Sequence, residues 1–367
     1  MNWAKERIDG MDATLVLVWF GGLVAVPIAL SFMYQSISFY AVLGWFGLLA
    51  ACIVLNELCR LSKWFSLLMF LVLPAALTFA LWPQTAGPGS GSTMNTWFYW
   101  VKTYSVLAGC LGFMAIRFVP ALAKNKWALF FPALILGVNI AEAVLRDFQV
   151  YNMHLTGQLV EGMATRSGPW NIMNGIAGIL NIVTISGWLG IFITRDKKHD
   201  MVWPDMLWFW VLAYDLWNFA YGYNCVGDQS FYSGLSILAA ATIPALTWRK
   251  GAYLQHRAQT LAYWMMLCMS FSYILDNSVF AVKASLNPTA LFLVSFLALV
   301  WNIAVFVYHF AKVLKYKRNI AVGVHSDLGE YQALAAERGD QTAPTRSGRG
   351  SPDSPLPRRA VGVGAKL

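Results

Sequence analysis

Between residues 13 and 314 the chain repeats one pattern, a long apolar stretch followed by a short polar break. The apolar stretches cover residues 13–33, 38–58, 64–82, 97–119, 127–146, 170–193, 204–224, 231–248, 261–282 and 288–314. At a rise of about 1.5 Å per residue, helices of that length match the roughly 30 Å hydrocarbon core of a bilayer. The pattern therefore predicts an all-α fold, a polytopic transmembrane helix bundle of ten spans. The first stretch follows Lys5 and Arg7, yet it is longer than a signal-peptide core and lacks a small-residue cleavage pattern, so it reads as an uncleaved span.

Charge fixes the expected orientation. If the N-terminus is cytoplasmic, only Lys102, Arg146, Arg166 and Lys283 of the 27 Lys and Arg fall outside; the others, including Arg60, Arg117, Arg249, Arg257 and Arg318, fall inside. This alternation predicts that both termini are cytoplasmic, with the plasma membrane as the location. Composition agrees, with 58% apolar residues, 12% charged residues and a mean hydropathy of +0.52. The net charge of +9 does not indicate nucleic acid, because the basic residues flank span ends and the tail instead of forming one interleaved patch. Membrane lipids and a small polar solute are the partners this pattern implies.

The chain divides at residue 318. Residues 1–318 read as the transmembrane helical domain, and residues 319–367, rich in Gly, Pro, Ser and Arg, as a disordered basic cytoplasmic tail. Within it, residues 327–338 could form a short helix, with Ser326 or Asp327 as N-cap and Glu330 at capping-box spacing. Residues 83–96 form an uncharged Gly, Ser and Pro linker; residues 148–169, with His154, Glu161 and Arg166, are long enough for a lid or an interfacial helix over the outer face.

Polar side chains inside the spans carry the chemistry, because lipid tolerates them only when they pair, face water or act. Asp215 lies near the middle of its span, where insertion scales put a carboxylate at about 2.5–3.5 kcal/mol. Asn218 follows one turn later on the same face. Asn139, Glu142 and Arg146 share a stripe of the fifth span, and Glu142 precedes Arg146 by four residues, the favourable order for an ion pair. Asn171, Asn174 and Asn181 share a face of the sixth span, with Gly175 and Gly178 allowing close helix approach. Asp276 and Asn277 lie below Lys283, with Asp276 and Lys283 on one stripe. Most of these groups fall in the outer half, which predicts a polar cavity open to the extracytoplasmic side and narrowing to Asp215. Taken singly, the asparagines serve equally well as interhelical hydrogen bonders.

Other chemistry finds little support. Cys52, Cys59, Cys110, Cys225 and Cys268 form no CxxC pair, so neither a disulfide framework nor a metal site is expected, and Cys225 alone sits where it could react. His309 lacks a second ligand at metal spacing, and no phosphate loop, nucleophile elbow or HExxH motif is present, so no cofactor is expected.

The strings D-L-W-N-F-A-Y-G-Y-N-C at 215–225, W-N-I-M-N-G-I-A-G-I-L-N at 170–181 and N-I-A-E-A-V-L-R-D-F at 139–148 resemble an uncharacterised family of bacterial polytopic membrane proteins, a domain of unknown function, over residues 10–318. That resemblance implies a membrane location and carries no activity or site residues. Three functional readings stand at this level. The first is binding or transport of a small polar or cationic solute, with Asp215 as the deep charge, Glu142 and Asp276 nearer the entrance, Arg146 orienting Glu142, and Asn171, Asn174, Asn218 and Asn277 supplying amides. The second is a membrane-embedded enzyme acting on a lipid or lipid-linked substrate, and the third a non-catalytic sensor or assembly factor.

Overall fold

The computed structural model describes residues 26, 28–160 and 163–338. The first apolar stretch and the end of the tail lie largely outside the described residues. The long helices are α1 (Phe39–Leu61), α2 (Lys63–Ala80), α3 (Trp97–Phe118), α4 (Lys126–Asn152), α5 (Pro169–Val183), α6 (Trp208–Cys225), α7 (Ile237–Leu246), α8 (Tyr253–Asn277) and α9 (Pro288–Tyr316). A short α10 (Gly329–Ala336) follows. Five of them, α1, α2, α3, α4 and α9, are long and apolar enough to cross a membrane.

Local sequence sets the helix ends. Ser38, Thr96, Asn125 and Asn287 each place a side-chain oxygen on the first free backbone N–H groups of α1, α3, α4 and α9. Pro288 occupies the first turn of α9, where its missing N–H costs nothing. α5 ends at Val183, well short of the expected 193, because the Thr184 hydroxyl bonds the Leu180 carbonyl and the chain turns at Gly187 with φ +68°. Any Cβ at Gly187 would sit 2.6 Å from Asp205 Cβ. α8 begins eight residues before the expected span, at Tyr253, and is kinked at Phe271 (φ −139°, ψ 42°).

Two apolar cores organise the bundle. One joins α1, α2, α7 and α8 with the N-terminal part of α3, and the other joins α4, α5, α6 and α9. Outward faces remain strongly apolar: only 17% of the apolar windows of α1 and α2 is buried, and Phe39, Phe79, Trp127, Leu145 and Leu314 are exposed. Water would penalise such a surface, whereas acyl chains match it.

The connections pack at two ends. At one end residues 156–160 (β1) and Met163–Arg166 (β2) pair antiparallel, with Leu159 opposite Ala164, so the loop expected to be a lid or interfacial helix is a hairpin; Glu161 lies outside the described residues. Tyr34 bridges Ala284 there, Thr93 of the uncharged linker donates to Asp276 at 2.8 Å, and Lys283 meets Asp228 at 3.0 Å. At the other end Asp200, 1% exposed, accepts from Arg60 at 2.9 and 3.0 Å and from Arg249 at 2.7 Å, while Arg117 donates to the carbonyls of Lys198 and His199. Two short strands, Phe192–Ile193 (β3) and Met201–Val202 (β4), flank that knot.

Residues 319–338, the first part of the segment expected to be a disordered tail with one short helix, pack against the bundle. Val324 and His325 donate their backbone N–H groups to Asp205 at 3.0 and 2.9 Å, Gly187 and Leu189 donate to the carbonyls of Ile320 and Ala321, and Leu334 packs with Phe192 and Val202. α10 begins at Gly329 with Leu328 as its cap; Asp327 bonds Lys312 instead of capping. The segment was read as tail because its few apolar residues are spaced for one small contact, which the buried Asp205 carboxylate anchors.

Candidate functional site

A cavity of about 120 Å³ lies where the two cores meet, enclosed by α3, α4, α6, α8 and the π-helical turn Phe231–Ser236 before α7. An apolar cavity of about 150 Å³ holds benzene and a water takes up about 30 Å³ in the liquid, so this space suits about four waters or one small organic group. Apolar walls come from Phe98, Val106, Phe113, Leu136, Leu261, Trp264 and Met265. Polar side chains on the wall are Lys102, Ser105, Asn139, Tyr214, Asn218, Tyr221, Gln229, Ser233 and Arg257. Concave sites with mainly apolar walls and a few convergent polar groups are the usual form of a small-molecule site.

The geometry follows from helical spacing. On α3, Phe98, Lys102, Ser105, Gly109 and Phe113 recur at three- and four-residue intervals and form one stripe. Asn139 and Ala143 do the same on α4, as do Tyr214, Asn218, Tyr221 and Gly222 on α6 and Leu254, Arg257, Ala258, Leu261 and Met265 on α8. Lys102 Nζ donates to Asn139 Oδ1 at 3.0 Å and to Glu142 Oε2 at 3.1 Å, so α3 and α4 are joined through an ion pair at the wall. Arg257, 5% exposed, donates from Nη2 to Asn218 Oδ1 at 3.1 Å and lies with its guanidinium carbon 6.0 Å from the Tyr214 ring centre. Its Nε and Nη1 have no hydrogen-bond partner among the described residues.

The residues expected from sequence do not gather at one place. Asn218 lines the cavity and Glu142 adjoins it, but the cation on Glu142 is Lys102 of the neighbouring helix; Arg146 donates to Gln149 at 2.9 Å and lies 5.9 Å from the Phe98 ring. Asp215 is off the cavity wall, its two oxygens taken by the hydroxyls of Thr242 and Tyr253, each at 2.5 Å. Asn171 and Asn174 converge instead on Asp147, at 3.2 and 2.7 Å. Asp276 bonds Thr93, and Asn277 is exposed at the end of α8. The expected single vestibule is thus several polar knots, of which one encloses space. Asn181 and Asn302 bond each other at 2.8 Å as interhelical partners, and Cys225 is buried against Asp147.

Two residues were missed. Asp147, fully buried, continues the apolar stripe Leu136, Ile140, Ala143 and Val144 of α4, and a carboxylate extending a core stripe was the available signal. Arg257 was assigned to a cytoplasmic basic loop because Y-L-Q-H-R-A-Q-T reads as polar. It continues the stripe of Leu254 and Leu261, and no Gly or Pro interrupts residues 253–277.

No curated protein and no solved structure matches this chain. A family model does match, over residues 35–337, and it takes in the packed segment after residue 318 that sequence reading had set aside. The chain belongs to that family, the family of unknown function DUF5692.

Proposed function

We propose that this protein is an integral membrane protein that binds and transports a small polar solute through the cavity between its two helix groups. The observation that carries the reading is a space with mainly apolar walls and a few convergent polar side chains, at the junction of two apolar cores. Polar groups cost free energy in such a place unless they pair or serve a ligand or water path, and the Nε and Nη1 of Arg257 have no hydrogen-bond partner among the described residues. A junction between packing groups is also where rocking of one group against the other would open a site to either side.

Support for ten spans with cytoplasmic termini comes from the coincidence of the later nine apolar stretches with described helical segments. It comes also from the gathering of Arg60, Arg117, Asp200 and Arg249 at one end of the bundle, where the positive-inside pattern puts the cytoplasm. The plasma membrane is the corresponding location. Asn218, with the Lys102–Glu142 pair and Arg257, forms the solute-binding set; Asp215, with both oxygens engaged away from the cavity, is a joint between α6, α7 and α8 in this reading.

Gly109 provides the test. A Cβ there would meet only Ile135, at 3.9 Å, so a larger side chain can grow into the cavity without displacing backbone. Purified protein screened against small polar solutes should gain thermal stability with at least one, and proteoliposomes should accumulate it. Gly109→Leu should melt as the parent does and lose both responses. Retention of solute binding and uptake by Gly109→Leu would sink the assignment of the cavity as the site.

A further inference from the structure

The charge on the cavity wall carries information about the ligand. Among the described residues that line it, the ionised side chains are Lys102 and Arg257, both cations, and no Asp or Glu reaches the wall. Lys102 is neutralised from behind by Glu142 at 3.1 Å. Arg257 is in no such pair: no carboxylate of the described residues lies within ion-pair distance, its hydrogen bond to Asn218 goes to a neutral amide, and the nearby Asp215, bonded by Thr242 and Tyr253, acts on it only at longer range. A guanidinium held in a bundle interior with two nitrogens free of hydrogen bonds, and with Asp215 acting on it only at longer range, has donors left over for a ligand. Its planar fork fits a carboxylate with two parallel hydrogen bonds.

We propose that the cavity takes a small amphipathic carboxylate, its anionic head on Arg257 and Asn218 and its apolar body against Phe98, Phe113, Leu261 and Trp264. This rests on the reading of the cavity as a solute site and deepens it. A cationic solute, the other possibility left by the sequence, would face the Arg257 charge with no carboxylate on the wall to receive it. A doubly charged phosphate would bring one charge more than Arg257 can offset in walls this apolar. The cavity's volume, about 120 Å³, limits the ligand to one short chain or one ring.

The test uses the full chain in detergent, isothermal titration and matched probes of one shape: benzoate, benzylamine and benzyl alcohol, with hexanoate, hexylamine and hexanol as a second set. Either carboxylate should bind at least about tenfold more tightly than its amine and alcohol counterparts, and Arg257→Gln should lose about tenfold or more of that affinity. Arg257→Lys, keeping charge without the fork, should fall between them. Binding of an amine or alcohol as tight as its carboxylate, abolished by Gly109→Leu, overturns the anion assignment and leaves the cavity reading standing. Failure of all six probes overturns both. Melting of the ligand-free Arg257→Gln variant is the second readout. An unpaired cation predicts a midpoint no lower than the parent's, whereas a midpoint several degrees lower would make Arg257 a structural residue and overturn the proposal.

Discussion

Asp200→Asn tests the knot at the basic end of the bundle. Asp200 lies in the loop between α5 and α6, outside the membrane-spanning segments, and Arg60, Arg249 and Arg117 surround it. Its hydrogen bonds with Arg60 and the nearby positive charges outweigh burial and hold the carboxyl at about 2, down from the ordinary 3.8. A depression of that size corresponds to roughly 2.5 kcal/mol of preference for the folded, charged form. That stability is fully present above pH about 4 and is lost as pH falls through about 2. The amide removes the charge, yet Arg60 keeps Glu57 at 2.6 Å and Arg249 keeps Glu337 at 3.1 Å, so the cost stays near this figure instead of reaching the 3–5 kcal/mol of a fully broken buried pair. At about 2 °C per kcal/mol for a chain of this size, the intrinsic-fluorescence melting midpoint at pH 7 should fall by about 5 °C. A midpoint within about 1 °C of the parent would refute the reasoning, because it would mean that the three arginines do not depend on this carboxylate.

Three further outcomes are expected. Gly178→Ala drives a methyl into Val144 and to within 2.6 Å of Trp217 Nε1, so α4, α5 and α6 must part; a loss of about 1–3 kcal/mol should appear in the same melting assay. His325, in the packed segment after α9, is held neutral by burial with its pKa lowered to about 4; stability should be complete above pH 6.5, decline on acidification toward pH 4, and show a flatter profile in His325→Gln. Asp205→Ala removes the acceptor of the Val324 and His325 N–H groups, so limited proteolysis should cleave within residues 319–338 in the variant under conditions where the parent resists.

The helical plan was legible because lipid-scale apolar stretches and capping residues are local signals: Ser38, Thr96, Asn125 and Asn287 mark helix starts in the sequence itself. The candidate site was legible only in part. Asn218 and Glu142 stand out as polar residues in apolar runs, but which neighbour answers them is a matter of tertiary packing: Arg146, on the same stripe, is the partner the sequence suggests for Glu142, and Lys102 of the next helix is the one that meets it. Arg257 escaped because a buried polar face on α8 looks like a loop when its partners, Asn218 and Tyr214, lie some forty residues away. Asp215 misled for the opposite reason. Depth in a span marks a carboxylate as costly without telling whether Thr242 and Tyr253 already satisfy it. Residues 319–338 carry too little apolar surface to predict a fold, and what holds them, the buried acceptor Asp205 with the Gly187 and Leu189 N–H groups and the Phe192 and Val202 side chains that Leu334 meets, lies over a hundred positions earlier.

Reaction with a small, membrane-impermeant thiol reagent tests the solute cavity most directly. All five native cysteines are buried, so the parent protein should be unreactive. Cysteine at Ser105 or Ser233, both on the cavity wall, should react in folded protein in membranes, and Gly109→Leu in the same chain should suppress the reaction. Cysteines at these two positions as inert as the native five would contradict a cavity that solutes can enter.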